Sequence, residues 1–214
     1  MTAQGGDAHE TPEALLRRTL AFYESNAEAF RAGTCDHDVS QNIEALLSAI
    51  EGAPPFSILD FGCGPGRDLA AFRARGHEAV GLDACEAFAR MAEAELGAEV
   101  WVQDFLALDL PPERFDGIFA NAALFHVPAE RIANVLGRLR ASLRPRGVLF
   151  SSNPRGNDEQ GFAQGRFACF WSEETWCRLV SEAGFEEITR YWRPPGRPRP
   201  QQPWFATVWR KAGS

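Results

Sequence analysis

The sequence lacks the features that mark membrane proteins and nucleic-acid-binding proteins. No segment approaches the ~20 consecutive apolar residues that a membrane-spanning helix needs. Lys211 is the only lysine, and acidic residues outnumber basic ones, so the net charge is −7. A negative chain is repelled by phosphate backbones and by anionic lipid surfaces. We therefore expect a protein that binds neither nucleic acid nor membranes.

The sequence also lacks a cysteine pattern and a targeting segment. Its five cysteines are odd in number and contain no C-x-x-C pair, which indicates neither a disulfide framework nor a zinc site. Residues 1–10 are polar and have no basic or apolar region of the kind found in signal peptides. We predict free thiols, no bound metal, a disordered tail over 1–10 and a cytoplasmic location.

The most informative stretch is a glycine loop, Asp60-Phe-Gly-Cys-Gly-Pro-Gly66. It follows an apolar run, 56–61, whose length and flanking Pro and Gly favour a buried strand. Glycines permit a tight turn and let a ligand lie against the backbone. The G-x-G-x-G spacing differs from the G-x-G-x-x-G dinucleotide fingerprint, and no Gly-Lys-Ser/Thr follows as in a P-loop. We predict a nucleotide-type cradle that is not a phosphate site.

The rest of the chain alternates between strand and helix patterns, which is typical of α/β packing. Two helices precede the glycine loop, at 11–30 and 40–50. Beyond the loop we predict strands at 78–83, 99–103, 115–121 and 148–152, helices at 86–96, 130–143 and 172–183, a long loop at 153–170, and closing strands at 186–192 and 204–209. The predicted fold is a Rossmann-like, seven-stranded, mostly parallel sheet with helices on both faces and an antiparallel edge strand.

Polar residues follow three of the predicted strands. In an open parallel sheet, ligands bind beyond the carboxyl ends of the strands. Asp83 ends the second strand, where a carboxylate can accept hydrogen bonds from both hydroxyls of a ribose. Asp104 follows the third strand and could accept from an adenine amino group, with Phe105 packing on the ring. Asn121 ends the fourth strand beside the same crevice.

The glycine loop and these strand ends, in this order, resemble the motifs of class I S-adenosylmethionine-dependent methyltransferases. The resemblance implies S-adenosylmethionine as the methyl donor, S-adenosylhomocysteine as its product, and a small-molecule acceptor. It also implies a single domain over 11–214, with a helical cap at 11–52, a donor-binding core at 56–152 and an acceptor loop with closing strands at 153–214. The cofactor-binding residues that it implies are Asp60, Gly62, Cys63, Gly64, Gly66, Asp83, Ala84, Asp104, Phe105 and Asn121.

In such folds the acceptor pocket is built by the N-terminal segment and by the loops after the fourth and fifth strands. We expect His126 and Asn121 to take part in catalysis, although alignment of the two substrates can suffice without a dedicated base. The candidate acceptor-binding residues are Tyr23, Phe30, Asp36, His37, Asp38, Asn42, Phe125, His126, Asn153, Arg155, Arg166 and Phe167.

Six stretches carry a narrower resemblance, to the methyltransferase of ovothiol biosynthesis: 32–42, 61–68, 100–109, 119–126, 150–156 and 201–204. In that family the domain often follows an iron sulfoxide-synthase portion, so we expect a stand-alone form here and a separate sulfoxide synthase as pathway partner. The resemblance implies methylation of the imidazole π-nitrogen of 5-thiohistidine. Arg155 or Arg166 could bind the amino-acid carboxylate. Phe125 and Phe167 could sandwich the ring, while His37, Asp38, Asn42 or His126 could bond its distal nitrogen.

Two other functions remain open from the sequence. One is methylation of a different nitrogen, sulfur or oxygen acceptor, which an acceptor screen would distinguish. The other is a donor-binding protein without catalysis, which would bind S-adenosylmethionine but turn over no acceptor. A nucleic-acid methyltransferase is disfavoured by the negative charge, and because Asn121 is followed by Ala-Ala-Leu rather than by the Pro-Pro-Tyr/Phe of exocyclic-amine methyltransferases.

Overall fold

A computed structural model describes residues 10–213 of the chain. The predicted disordered tail, 1–10, lies outside the described residues apart from Glu10. The helices are α1 (Pro12–Thr34), α2 (Ser40–Leu47), α3 (Arg67–Ala74), α4 (Glu86–Leu96), α5 (Ile132–Ser142) and α6 (Glu173–Glu182). The strands are β1 (Ser57–Phe61), β2 (Glu78–Asp83), β3 (Val100–Val102), β4 (Phe115–Asn121), β5 (Leu143–Pro154), β6 (Glu159–Ala163), β7 (Arg166–Phe170), β8 (Phe185–Arg193) and β9 (Trp204–Lys211).

Seven strands form the central sheet, in the order β3-β2-β1-β4-β5-β9-β8. Strands β1 to β5 pair in parallel, whereas β9 runs antiparallel to both of its neighbours, β5 and β8. The predicted α/β fold class is thereby confirmed. The antiparallel strand lies one position in from the edge, which β8 occupies. The strand order reverses between β1 and β4, and this is the point at which open α/β sheets bind ligands.

Both faces of the sheet are covered, as the apolar strands require. One buried cluster joins Ile43 of α2, Leu69 of α3 and Ala92 of α4 to the sheet. The other joins Leu136 of α5 and Trp176 of α6 to the opposite face. The strand and helix that flank the glycine loop are therefore held by two cores, and the loop between them is fixed in place.

The prediction of a long loop at 153–170 was wrong, because this segment contains the antiparallel hairpin of β6 and β7. Gln164 and Gly165 form its two-residue turn with φ values of 52° and 81°. Two positive φ values define the turn that suits the twist of a hairpin. The glycine content of the segment suggested a loop, whereas one glycine in fact forms the turn. The hairpin packs on α1 and forms part of the wall of the site described below.

The largest extensions beyond the predicted bounds are those of α1 and β5. α1 continues to Thr34 rather than 30, across an irregularity at Asn26, which has non-helical angles of φ −124° and ψ 17°. β5 begins at Leu143 rather than 148, because Leu143 pairs with Phe115 of β4; the register then shifts, and Val148 pairs with Gly117. The extension of α1 places its last turn over the glycine loop. No helix within residues 10–213 is long and apolar enough to cross a membrane.

Candidate active site

A cavity of about 750 Å³ lies between the carboxyl ends of the strands and the two N-terminal helices. Ligand sites in proteins typically occupy about 300 to 1,000 Å³, so this one has room for a donor and a small acceptor together. Its lining includes many of the sequence-predicted site residues: Tyr23, Phe30, His37, Asp38, Asn42, Gly62, Cys63, Gly64, Asp83, Ala84, Phe105, Asn121, Phe125, His126 and Arg166.

The glycine loop forms the floor of this cavity, and its first glycine packs closely against the segment that follows β4. Gly62 has a φ of 74°, and a Cβ atom added there would lie 2.5 Å from the Cβ of Ala123 and 3.4 Å from Phe105. The 2.5 Å contact is too short for any real side chain, so only glycine fits. The bare backbone leaves a cradle in which a nucleoside can lie against the peptide groups.

Asp83 lies beside the loop and binds its backbone. Its two carboxylate oxygens accept hydrogen bonds from the N–H groups of Gly64 and Cys85, each at 2.9 Å. Burial raises the pKa of the Asp83 carboxyl to about 6, and these backbone hydrogen bonds oppose the shift. A carboxylate oxygen can accept more than one hydrogen bond. Asp83 therefore keeps capacity to accept from the two hydroxyls of a ribose.

The next strand end supplies an apolar wall. Phe105 is buried and stacks on Phe61, with ring centroids 4.3 Å apart, and its edge reaches the cavity. Asp104 is exposed and does not line the cavity, and its carboxylate accepts from the backbone N–H of Leu106 at 2.8 Å. The structure thus brings Phe105, but not Asp104, to the predicted adenine position.

Two residues of the glycine motif lie behind the cavity rather than in it. Asp60 is buried, and one of its carboxylate oxygens has no hydrogen-bond partner among residues 10–213. Burial and the nearby charge of Asp68 hold the pKa of Asp60 well above its usual range. A Cβ on Gly66 would lie 2.9 Å from Ala92 and 3.0 Å from Leu96, so this glycine permits close packing of α3 against α4. Both residues support the loop and do not contact the space that a ligand would fill.

The opposite end of the cavity is organised around His126. Its Nδ1 atom lies 2.6 Å from the backbone oxygen of Phe167, and its Nε2 atom lies 2.9 Å from the hydroxyl of Tyr23. Burial lowers the pKa of His126 to about 4, with a further lowering from the charge of Arg166. The imidazole is therefore neutral at pH 7 and already bonded at both nitrogens. His126 positions Tyr23 and has no free lone pair for a substrate.

Asn121, the other predicted catalytic residue, is also held by hydrogen bonds at both polar atoms of its side chain. Its side-chain oxygen accepts from Asn42 at 3.0 Å and from the hydroxyl of Ser152 at 2.7 Å, and its amide nitrogen donates to Asp68 at 3.1 Å. Asp68 in turn accepts two hydrogen bonds from Arg67, at 2.6 and 2.9 Å. This network ties the helical cap to α3 and β4. Its effect is to fix the walls of the cavity.

Two guanidinium groups face the cavity without a carboxylate partner within residues 10–213. Arg166 donates to the Tyr23 hydroxyl at 3.3 Å and to Gln164 at 3.0 Å, and its buried Nε atom has no partner in the described part of the chain. Arg193 donates to the Asn42 side-chain oxygen at 2.8 Å and to the backbone oxygen of Asp38 at 2.7 Å. A half-buried cation without a counter-ion favours an anionic ligand group.

Several predicted acceptor residues lie outside the cavity. Arg155 is exposed and donates to the backbone oxygen of Arg199 at 2.9 Å. Asn153 is buried in the sheet beside Phe205, and no described residue bonds either polar atom of its side-chain amide. Phe167 contributes its backbone rather than its ring, and Asp36 is exposed. Asn153 lies within β5 and Arg155 directly follows it, but neither side chain lines the cavity.

The structure also adds residues that the sequence did not single out, notably Arg193 and Trp204. Both lie near the closing strands and approach the cavity only through the antiparallel placement of β9 beside β5. No local motif marks them. Within residues 10–213, no group of three or more His, Cys, Asp or Glu side chains is placed to hold a metal ion.

Comparison with known proteins agrees with this geometry. The profile of the Methyltransferase domain family matches residues 23–190. The chain is 37% identical to trans-aconitate 2-methyltransferase of Azoarcus sp. (strain BH72) over 116 residues, which cover 53% of this chain and 45% of that protein. It is 30% identical to malonyl-[acyl-carrier protein] O-methyltransferase of Pseudescherichia vulneris over 137 residues, 64% of this chain and 50% of that one. The chain spans about half the length of these curated relatives.

Among solved structures, the fold matches the Burkholderia thailandensis 1,6-didemethyltoxoflavin-N1-methyltransferase with bound 1,6-didemethyltoxoflavin and S-adenosylhomocysteine. The TM-score is 0.79 at 22% identity, with 98% of this chain and 94% of that chain covered. A likeness at this identity describes the fold alone. The match of the family profile over most of the chain carries the assignment: the chain belongs to the Methyltransferase domain family and is a class I S-adenosylmethionine-dependent methyltransferase domain.

Proposed function

We propose that this domain transfers the methyl group of S-adenosylmethionine to a small molecule, and that the acceptor is the imidazole π-nitrogen of 5-thiohistidine. The observation that carries the acceptor proposal is the charge at the His126 end of the cavity. Within residues 10–213, Arg166 and Arg193 are cations without a carboxylate partner, and Asp38 is an acid whose pKa is lowered chiefly by hydrogen bonds from Ser40. An amino acid with an acidic ring thiol carries the complementary groups: a carboxylate, a thiolate and an ammonium.

The aromatic side chains at this end suit a flat ring. Tyr23 packs edge-on against Phe30, with centroids 5.3 Å apart, and Phe125 lies 6.0 Å from Trp204. All four line the cavity. An imidazole held among them would be shielded from water. The six sequence stretches that resemble the ovothiol methyltransferase, together with this aromatic enclosure, support a thiol-bearing imidazole over other acceptors.

The residues of the donor end fit S-adenosylmethionine. Gly62 and Gly64 would lie beneath the nucleoside, Asp83 would accept from the ribose and Phe105 would pack on the adenine. When bound, the donor supplies an activated methyl group on a sulfonium. The contribution of the chain is to hold both substrates in line and to exclude water, and orientation of this kind can account for about 7 to 11 kcal/mol of a reaction barrier.

A carboxylate acceptor is the second candidate, because two curated relatives are named as a trans-aconitate methyltransferase and a malonyl-acyl-carrier-protein O-methyltransferase. Arg166 and Arg193 could bind a dicarboxylate as well as an amino acid. For the first candidate, a separate sulfoxide synthase would supply the thiohistidine skeleton. We rank a dicarboxylate second because the six sequence stretches that resemble the ovothiol methyltransferase favour a thiol-bearing imidazole.

The experiment that tests the proposal is an acceptor comparison. Purified protein and S-adenosylmethionine would be incubated with 5-thiohistidine, histidine, trans-aconitate or a malonyl thioester, and kcat/KM measured for each. We expect 5-thiohistidine to be preferred, with histidine much poorer because it lacks the sulfur. Preference for a carboxylate would overturn the first candidate in favour of the second. Donor binding by calorimetry without turnover of any acceptor would indicate a non-catalytic binding protein.

Removing the charge of Arg166 tests the anion site at the acceptor end. Arg166→Met keeps much of the length of the side chain but loses its hydrogen bonds. We expect the acceptor KM to rise roughly 10- to 100-fold, the cost of one or two charge-assisted hydrogen bonds. The dissociation constant of S-adenosylhomocysteine should not change. Arg178→Met is the matched control, since Arg178 is exposed and pairs with Glu182 on the surface of α6. Equal effects of both substitutions on KM would contradict the assignment.

Donor binding should weaken at acidic pH because of Asp83. Its pKa is raised to about 6 in the free protein, and protonation removes the anion that accepts from the ribose. The charged form is present above the pKa and is lost as the pH falls through it. At pH 5 only about a tenth of the molecules would be ionised, so the dissociation constant of S-adenosylhomocysteine should rise about tenfold relative to pH 7.5. Calorimetry across this range is the measurement, and a flat profile would contradict the role of Asp83.

A further inference from the structure

The hydrogen bonds around His126 have a direction that the geometry determines. The backbone oxygen of Phe167 can only accept, and it lies 2.6 Å from Nδ1 of His126. The hydrogen of the neutral imidazole is therefore on Nδ1, and Nε2 carries a lone pair. Thr19 helps to hold this arrangement, because its hydroxyl accepts from the backbone N–H of Phe167 at 2.8 Å. The tautomer of His126 is thus imposed by the hairpin strand β7.

The tautomer of His126 also determines the direction of its hydrogen bond to Tyr23. Nε2 of His126 has no hydrogen, so the Tyr23 hydroxyl, 2.9 Å away, must donate its own. Burial raises the pKa of Tyr23, so the hydroxyl keeps its proton at neutral pH. Arg166 donates to the same oxygen at 3.3 Å and cannot accept. The Tyr23 oxygen can therefore present only a lone pair to a ligand in the cavity.

We propose that Tyr23 is the residue that selects which ring nitrogen is methylated, by accepting a hydrogen bond from the N–H of the nitrogen that is not methylated. This proposal rests on the proposed function. An imidazole bound with its τ N–H directed at the Tyr23 oxygen has its lone pair on the π-nitrogen. The reverse tautomer would direct a lone pair at the lone pair of Tyr23 and would be rejected.

The chemistry follows from this orientation. The lone pair of the π-nitrogen forms the new N–C bond while the S–C bond of the sulfonium breaks, with its electrons remaining on sulfur. The positive charge passes from the sulfonium to the ring, where an ionised thiol compensates it. No proton has to leave before the transfer, so the Tyr23 oxygen needs only to hold the τ N–H. Tyr23 and His126 thus act by fixing a tautomer and not by removing a proton.

Other polar side chains at this end are less suited to the role. Asn42 already accepts two hydrogen bonds at its side-chain oxygen, from Tyr191 at 2.9 Å and Arg193 at 2.8 Å, and its amide nitrogen donates to Asn121. His126 offers no free lone pair, as shown above. Asp38 is exposed and accepts from the backbone of Ser40. Tyr23 is the half-buried acceptor at the centre of the aromatic enclosure.

The first test measures the direction of the hydrogen bonds without an acceptor. Protein labelled with ¹⁵N in histidine and saturated with S-adenosylhomocysteine would be studied by NMR, and the His126 signals identified by their loss in His126→Gln. We expect a hydrogen on Nδ1 and none on Nε2 from pH 5 to pH 8. In Tyr23→Phe the Nε2 signal should shift, because its hydrogen bond is gone. A hydrogen on Nε2, or a charged ring at pH 7, would overturn the proposal.

The second test measures the position of methylation. Tyr23→Phe should lower the ratio of π- to τ-methylated product about tenfold or more, since one directional hydrogen bond is lost. Arg178→Met is the control, because Arg178 is exposed and pairs with Glu182 on the surface of α6, and its product ratio should equal that of the wild type. An unchanged ratio in Tyr23→Phe would overturn the proposal. No transfer to 5-thiohistidine by the wild type, with donor binding intact, would instead overturn the proposed function, and the NMR result would still decide the role of Tyr23 as a fixed acceptor.

Discussion

Gly62→Ala is expected to abolish binding of S-adenosylmethionine and to destabilise the fold. The added methyl group would lie 2.5 Å from the Cβ of Ala123, and the backbone at Gly62 has a φ of 74°, which alanine rarely adopts. Overpacking costs about 1 to 3 kcal/mol, and the left-handed conformation about 1 to 2 kcal/mol more. Relief of the clash requires the loop after β4 to move, and that loop forms one wall of the cavity. The cradle would therefore be lost even in molecules that remain folded.

Gly76→Ala separates the cost of the left-handed backbone from the cost of the steric clash. Gly76 has a similar φ of 82°, but a Cβ there would have no neighbour within 4 Å among the residues that the structure describes. It also lies outside the cavity lining. We expect Gly76→Ala to lose only about 1 to 2 kcal/mol in the free energy of unfolding, measured with urea, and to bind S-adenosylhomocysteine like the wild type. If both variants bound the ligand equally well, the close approach at Gly62 would have no role in donor binding.

Asp83→Asn is expected to weaken S-adenosylhomocysteine binding by roughly 100-fold. An amide oxygen can still accept from Gly64 or Cys85, so the loop should keep its shape. The hydrogen bonds to the ribose, however, lose their charge, and bonds to charged groups contribute about 1.5 to 3 kcal/mol each. The dependence of affinity on pH between 5 and 7.5 should disappear at the same time, because the titrating group is gone.

The control for this substitution is Asp109→Asn, which makes the same change of charge at an exposed residue outside the cavity. Its affinity and pH profile should match those of the wild type. Calorimetric titrations at pH 5, 6 and 7.5 would measure both variants. If Asp83→Asn kept the acid-side loss of affinity, another group would have to be responsible, and the ribose contact would not be assigned to Asp83.

Much of the fold could be predicted because the relevant signals are local. The strand over 78–83, the helix over 86–96 and the strand over 115–121 agree with the structure to the residue. Each has a strong apolar period and clear breakers at its ends. The donor end of the site could be predicted equally well. One contiguous glycine loop and the strand ends that follow it place Gly62, Gly64 and Asp83 in one crevice through the topology of the sheet.

The acceptor end could be predicted only in part, because it depends on contacts between distant segments. Arg193 is the last residue of the edge strand β8. It reaches the cavity because β9 is inserted antiparallel between β5 and β8. Arg155 and Arg166 were equivalent by sequence, yet the hairpin turn at Gly165 brings Arg166 to Tyr23 and leaves Arg155 exposed. The role of His126 likewise follows from the backbone oxygen of Phe167, which no side-chain pattern reveals.

The helices over the site, α1 and α2, show the same contrast between local signals and contacts between distant segments. The sequence predicts two helices at 11–30 and 40–50, but the polar bonds that seat them could not be inferred from it. These bonds join Asn42 to Asn121 at 3.0 Å and Arg67 to the backbone oxygen of Thr34 at 2.9 Å. They connect the cap directly to the strand end and to the helix that follows the glycine loop. The cavity is closed by this network rather than by apolar packing alone.

The measurement that tests the central claim most directly is the position of the transferred methyl group. S-adenosylmethionine labelled with ¹³C in its methyl group would be incubated with the protein and 5-thiohistidine, and the product analysed by mass spectrometry and by NMR correlation of the methyl carbon with the ring. We predict a single product with the label on the π-nitrogen. Label on the sulfur or on the τ-nitrogen, or no transfer by protein that binds S-adenosylhomocysteine, would contradict the account.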